Sequence, residues 1–250
     1  MIEIAALREY CDTLLGVAEQ PDYCPNGLQV ECERPVRRLM TGVTACQALV
    51  DAAVAWEADA LLVHHGYFWK GEAAPLVGIK GRRVRTLICA GVSLFAYHLP
   101  LDVHPELGNN RGLGDRLGVA EPQPVPGGDG LLWRGRMPTP HDGEALCRLI
   151  AVALGREPLH IAGHARPIKT IVWCTGGAQG RIEQAALAGA DAFISGEISE
   201  QTTHQARELG VDYFAAGHHA TERYGVQALG AHLAERFALT HRYVEIANPA

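Results

Sequence analysis

The chain is 250 residues long, with 22 Lys and Arg against 28 Asp and Glu, a formal net charge of -6 and a composition ordinary for globular proteins. The two signs are interspersed and no basic block occurs, so there is no clear nucleic-acid surface. No apolar run approaches the roughly 20 residues of a membrane span, and Glu3, Arg8 and Glu9 stand where a signal peptide would be apolar, so no membrane partner and a cytoplasmic location are expected.

Seven scattered cysteines without CxxC spacing read as reduced thiols, not as a disulfide frame or a zinc cage. In chain order, Ile4, Leu7, Cys11, Leu14 and Leu15 recur at helical spacing and predict an amphipathic helix ended near Gly16. Turn chemistry over Asp22 to Gly27 precedes a short strand, Leu28 to Val30. A strand over Val36 to Gly42, a helix from about Gln47 to Glu57 and a strand over Leu61 to Val63 then make a β-α-β unit. A strand is expected over Val92 to Ala96, and Asn110 is expected to cap a helix over Leu113 to Leu117. The Pro- and Gly-rich stretch Glu121 to Gly130 reads as a linker, and Glu144 to Leu154 as a connecting helix. The expected fold is α/β, built from duplicated β-α-β modules that form two related halves around a shared dinuclear metal cleft. The first half is placed at 1–125, linker and connecting helix at 126–165, and the second half at 166–250, packing with the first as one unit.

The duplication is visible without gaps. Residues 34 to 63 match residues 132 positions later with seven identities, at Arg34, Pro35, Gln47, Ala53, Ala58, Asp59 and Ala60, where chance gives about two. The first copy ends in the His64-His65 pair, and Ser195-Gly196-Glu197 occupies the place of that pair in the second, so the site is expected to be asymmetric. His98 is followed four residues later by Asp102, and His218 by Glu222, at an offset of 120. Two such half-sites related by a pseudo-twofold would face one cleft.

His64, His65, Asp102, His218 and Glu222 supply three imidazoles and two carboxylates, a set that suits zinc, manganese or iron better than calcium. Neighbouring strand residues point to opposite faces, so His64 and His65 are expected to diverge. His218 and Glu222 fall one turn apart if Glu222 opens a helix, while Asp102 is placed in a loop stiffened by Pro100. Glu222 or Asp102 between two ions would give hydrolytic chemistry. His98 is read either as a direct ligand or as a residue that orients one; His104 and His219 are read as substrate-facing or solvated. Gly176-Gly177-Ala178-Gln179-Gly180 offers backbone amides to a phosphate, weakly, because it lacks the spacing of a nucleotide-binding loop. No Gly-x-Ser-x-Gly elbow and no Cys-His-acid arrangement points to a protein nucleophile.

Four stretches together, Tyr23 to Val30, His64 to Glu72, Tyr97 to Asn110 and Gly217 to Arg223, resemble the type 2 GTP cyclohydrolase I homologues, also called the NGG-interacting-factor-three-like family, in its short bacterial branch. The resemblance spans nearly the whole chain. It implies a duplicated α/β fold, two divalent metal ions per chain (Zn, Mn, Fe or Ni) on His64, His65, Asp102, His218 and Glu222, with Glu222 bridging, and a toroidal homohexamer. The middle segment, about Glu121 to Ala165, lacks the inserted domain of longer members. The family name implies a small-molecule substrate, a nucleotide whose guanine imidazole ring is opened by hydroxide attack at C8 with loss of formate. Arg82, Arg83 and Arg85 could then cradle the triphosphate, the default reading of the three being a solvated basic face. The leading expectation is a dinuclear metal-dependent hydrolase with His98 or His104 shuttling protons. The alternative is a metal-binding or metal-handling regulatory protein without turnover.

Overall fold

A computed structural model describes residues 1–250. The chain divides into two units, Met1–Leu107 with Gly225–Ala247, and Gly108–Tyr224 with Asn248–Ala250. Both are α/β, with strands and helices alternating as expected, and no helix is long and apolar enough to cross a membrane.

The first unit contains α1 (Ile4–Leu14), β1 (Gly27–Val30), β2 (Arg38–Thr44), α2 (Gln47–Ala55), β3 (Ala60–His65), α3 (Gly78–Ala90), β4 (Ser93–Ala96) and α4 (Leu99–Val103). Its sheet order is β1-β4-β3-β2-β11, where β11 is Thr240–Tyr243; β1 is antiparallel to β4 and the other neighbours are parallel. Side-chain alternation sorts the strands between two cores. Leu39, Val43, Ala60 and Leu62 pack with Leu7 and Cys11 of α1, whereas Met40, Leu61 and Val63 pack with Leu49 and Val50 of α2 and Leu87 of α3.

The second unit contains α5 (Asn109–Arg116), β5 (Ala120–Pro124), β6 (Trp133–His141), α6 (Gly143–Leu154), β7 (Leu159–Ile161), β8 (Ile168–Cys174), α7 (Ile182–Leu187), β9 (Ala192–Ser195), α8 (Glu200–Leu209), β10 (Asp212–Ala215) and α9 (His218–Thr221). Its sheet order is β5-β6-β8-β9-β10-β7. The α6 helix starts where Asp142 accepts a hydrogen bond from the Ala145 amide, and stops at Gly155 with φ 69°.

The boundaries fall elsewhere than at residues 125 and 165. Within residues 126–165, expected as linker and connecting helix, β6 pairs with β5 on one side and β8 on the other, and Leu146, Ile150 and Leu154 of α6, at the place of the expected helix, pack in the second unit's core. The last part of the chain returns to the first unit, because β11 extends its sheet alongside β2 and Val226, Leu229 and Leu233 of α10 (Arg223–Phe237) join the α1 core.

The duplication survives as register. In the first unit Leu39 pairs with Ala60 and Met40 with Leu61; in the second, Ile171 pairs with Ala192 and Val172 with Phe193, each residue 132 after its counterpart. The identities explain themselves locally. Asp59 Oδ2 accepts from the amides of Arg37 and Arg38, and Asp191 Oδ2 accepts from those of Lys169 and Thr170. Arg34 and Arg166 donate in the same way to the Gly91 and Gly210 carbonyls. Burial alone would raise the Asp191 carboxyl, but the Thr170 and Lys169 amides and the Arg166 guanidinium hold it below the usual range. Asp191→Ala should therefore cost about 1–3 kcal/mol in denaturant unfolding. The carboxylate's contribution is complete above the ordinary carboxylate range and is lost as pH falls through the depressed value, so the variant's deficit should shrink in acid.

The third strands follow a different offset. Ala60 pairs with Ser93 and Ala192 with Asp212, 119 residues later, not 120. Structurally His98 therefore corresponds to Gly217, each preceding a short helix, and His218 corresponds to Leu99. The two His-x-x-x-carboxylate motifs are not equivalent positions of the repeat.

Candidate metal centre

In the first unit β3 ends in the two histidines. His64 is fully buried and donates Nδ1–H to the Tyr97 carbonyl at 2.9 Å, while His65 is half-buried with Nδ1 3.2 Å from Thr44 Oγ1. The rings do not diverge as strand alternation suggested. Their centroids are 4.6 Å apart at the last two residues of the strand, before the chain turns at Gly66. A Cβ at Gly66 would overlap Gln29 Oε1 and Ala96 Cβ, so only glycine fits there. Asp102 is buried on α4, a short helix with Pro100 in its first turn, where a loop was expected; its Oδ1 lies 3.5 Å from His64 Nε2.

His98 completes this cluster. Its ring centroid is 5.0 Å from that of His64 and 5.7 Å from that of His65, with Trp69 and Tyr23 edge-on to it. Its Nδ1 donates to Asp22 Oδ1 at 3.0 Å. Asp22 also accepts from the amides of Tyr23 and Leu99 and from Asn26 Nδ2. Burial pushes the Asp22 carboxyl upward, but the bonds from His98 and Asn26 prevail and bring it to about 2. Asp22 and Asn26 were legible only as turn residues. The turn bends so that one carboxylate can serve a histidine 76 residues away.

His104, expected as a proton shuttle, lies at the C-terminal end of α4. Its Nδ1 accepts from the amides of Glu106 and Leu107, fixing the turn after α4, and burial lowers its pKa. Cys24 beside Asp22 is no nucleophile, since burial and the nearby Asp22 charge push its thiol to about 12. Arg82 and Arg85 are exposed on α3 and Arg83 is half-buried there, so the three do not share one environment.

In the second unit, α9 presents His218 and ends at Glu222, which is buried. His218 Nε2 is 3.1 Å from Glu222 Oε2, and His218 Nδ1 is 2.7 Å from Glu197 Oε1. Burial acts to lower the His218 pKa, but the hydrogen bonds and charges of Glu222 and Glu197 outweigh it and raise it to about 9. Glu197 was overlooked in the sequence, although it stands 132 residues after His65. It holds the far nitrogen of a histidine, as carboxylates do behind metal-binding imidazoles. His219 is buried instead of solvated, with its amide donating to the Ala250 carbonyl.

Glycines shape this corner. At Gly176, φ is 68° and a Cβ would fall on Glu222 Oε1; at Gly196 a Cβ would lie 2.7 Å from the His218 Cα. Gly196 occupies the repeat position of His64, so the second copy has no room for a histidine there. Within the glycine-rich loop the Gly176 amide donates to Thr221 Oγ1 and that of Ala178 to Ser195 Oγ, and just before it the Thr175 amide donates to Asn110 Oδ1. Asn110 accordingly does not cap α5. That position belongs to Gly108, and Asn110 is buried inside the first turn.

The donor chemistry of both clusters fits a first-row divalent cation: imidazoles with the remote nitrogen engaged, and carboxylates beside them. The profile of the family described as Duf34/NIF3 (NGG1p interacting factor 3) matches residues 2–249. A protein of Allochromatium vinosum named GTP cyclohydrolase 1 type 2 homolog is 60% identical over 250 residues, covering 100% of this chain and 98% of its own. Among solved structures, the protein ybgI, described as of unknown function, superposes with a TM-score of 0.96 at 45% identity over 100% of both chains. TTHA1606 from Thermus thermophilus does so with a TM-score of 0.90 at 33% identity, also over 100% of both.

Proposed function

Because the chain belongs to the Duf34/NIF3 family, we propose that it is a metal-dependent hydrolase in which His64, His65, Asp102, His218 and Glu222 hold two divalent cations, with Glu222 as the shared ligand. The observation that carries this reading is the engagement of the remote imidazole nitrogens, His64 Nδ1 by the Tyr97 carbonyl and His218 Nδ1 by Glu197. Such bonds fix the tautomer and turn Nε2 toward a cation. When bound, the ions supply Lewis acidity and lower the pKa of water.

The chain's own residues do the rest. Glu197 fixes the His218 ring, Asp22 fixes the His98 ring, and Trp69 and Tyr23 wall one side of the imidazoles. The substrate class, a C–N bond of a purine nucleotide, is taken from the name that relatives carry. Residence in the cytoplasm and assembly into a homohexamer belong to the same proposal; light scattering of the purified protein tests the latter.

The experiment is elemental analysis of the wild type, His65→Ala and Glu222→Ala, followed by a formate-release assay with GTP on the same samples. Near two metals per chain, lost in the variants, with formate from the wild type alone, is the expected result. Two metals without formate would discard GTP and leave the metal-handling reading.

A further inference from the structure

We propose that the second unit carries a binding cavity for a small organic acid, an apolar body bearing a carboxylate, whose head pairs with Arg134. The cavity lies between α7 and the turn that joins β5 to β6, measures about 320 Å3, and shares no lining residue with the metal centre. Small-molecule pockets run from about 300 to 1,000 Å3, so it suits a compact ligand. Val125, Leu132, Leu187 and Ala188 make its walls apolar, and Leu187 is 89% exposed.

Alternation along β6 sets the arginine in place. Trp133 turns into the core beside Leu146 and Ile150, so Leu132 and Arg134 share the opposite face, where Leu132 packs with Ile182 and Ala185 of α7. The side-chain polar groups that the cavity offers are donors. The half-buried guanidinium of Arg134 makes neither hydrogen bond nor ion pair within the chain. Gln184 accepts from Arg181 through Oε1 and keeps its Nε2 hydrogens for a ligand. The last carbonyls of α7, those of Gln184, Ala185 and Ala186, are taken by the amides of Ala188, Ala190 and Gly189. No carboxylate lines the cavity. A guanidinium fork between apolar walls matches a carboxylate held by both oxygens.

The first unit has the same arrangement. A cavity of about 280 Å3 there is lined by Ala52, Ala55, Trp56 and Arg242, and Gln184, Leu187 and Ala188 stand 132 residues after the first three. Arg242 pairs with Met40 and Arg134 with Val172, which is again 132 after Met40, so the two arginines hold the same place on their sheets. The duplication does not supply them. β11 runs parallel to its neighbour and follows it in the chain, whereas β6 runs antiparallel and precedes its own. Two unrelated strands thus bring an arginine without a protein partner to the same corner, which calls for a shared anionic ligand. Trp56 stands in the first unit where Ala188 leaves room in the second.

The test titrates octanoate into the full chain, with methyl NMR signals of Leu132 and Leu187 reporting this cavity and those of Val244 the first unit's. Octanoate should shift the Leu132 and Leu187 signals saturably. 1-Octanol, with the same body and no charge, should bind at least about tenfold more weakly, and acetate should not bind. Arg134→Gln should weaken octanoate about 10- to 140-fold, as loss of a charged hydrogen bond does. Ala188→Trp, which copies the first unit, should abolish the shifts; Ala188→Phe replaces it if that chain does not fold. Arg242→Gln should leave the Leu132 and Leu187 titration unchanged. No saturable shift in the wild type, octanol as strong as octanoate, or equal affinities of the wild type and Arg134→Gln overturns the proposal. So do Leu132 and Leu187 signals that move with protein concentration alone, since the cavity would then belong to a contact with a second copy of the chain.

Discussion

Gly176→Ala should strip metal from the chain more thoroughly than its small size suggests. At φ 68° an alanine pays about 1–2 kcal/mol for the left-handed backbone. The larger effect is steric. The new Cβ falls on Glu222 Oε1, and Glu222 has little room to yield, being 3% exposed at the end of α9. The neighbouring Thr221 hydroxyl donates to the Gly217 carbonyl and accepts the Gly176 amide, locking both segments together. Displacing a ligand or its support costs about 10- to 100-fold in metal affinity. Gly177→Ala is the control: its φ is not positive, the residue is exposed, and its Cβ would approach only Glu197 Oε2, at 3.3 Å. Isothermal titration with zinc should find Gly176→Ala crippled and Gly177→Ala near wild type. Equal affinities would remove Glu222 from the ligand set.

The second large effect is a proton. With its pKa raised from 6.5 to about 9, His218 in the metal-free chain is charged at pH 8. A raised value means that the protonated form stabilises the fold fully below 6.5 and that this contribution fades as pH climbs through about 9. A metal needs the neutral ring, so the proton must leave on loading. Zinc added to weakly buffered protein at pH 8 should release about one proton per chain from this group, and apparent affinity should rise about tenfold per pH unit up to about 9. Glu197→Gln removes one of the two carboxylates that hold the charge, so its release at pH 8 should be smaller. No difference between the two proteins would show that Glu197 does not set the charge of His218.

Much of this was written in the residues, and the gaps have physical causes. The repeat at 132 positions marked the two β-α-β modules because Asp59 and Asp191 perform the same backbone clasp. The five proposed ligands stood out because imidazoles and carboxylates are conspicuous at strand ends. What the sequence hid is geometry that no local pattern encodes. The one-residue difference between offsets of 119 and 120 depends on strand pairing, and it undid the equivalence of His98 with His218. Glu197 was hidden because a carboxylate in place of a histidine looks like loss, although it takes up a supporting position. Asp22 read as turn chemistry because its partner is remote in the chain. The return of β11 rests on a four-residue edge strand, too short to announce its sheet.

That return orders events during synthesis. Every strand of the second sheet, from Ala120 to Ala215, is synthesised before β11, whereas the first sheet waits for Thr240–Tyr243 to be made. Domains ordinarily mature from the N-terminus onward. Here the later-encoded sheet is the first to have all its parts, and the earlier one passes most of translation with the flank of β2 uncovered.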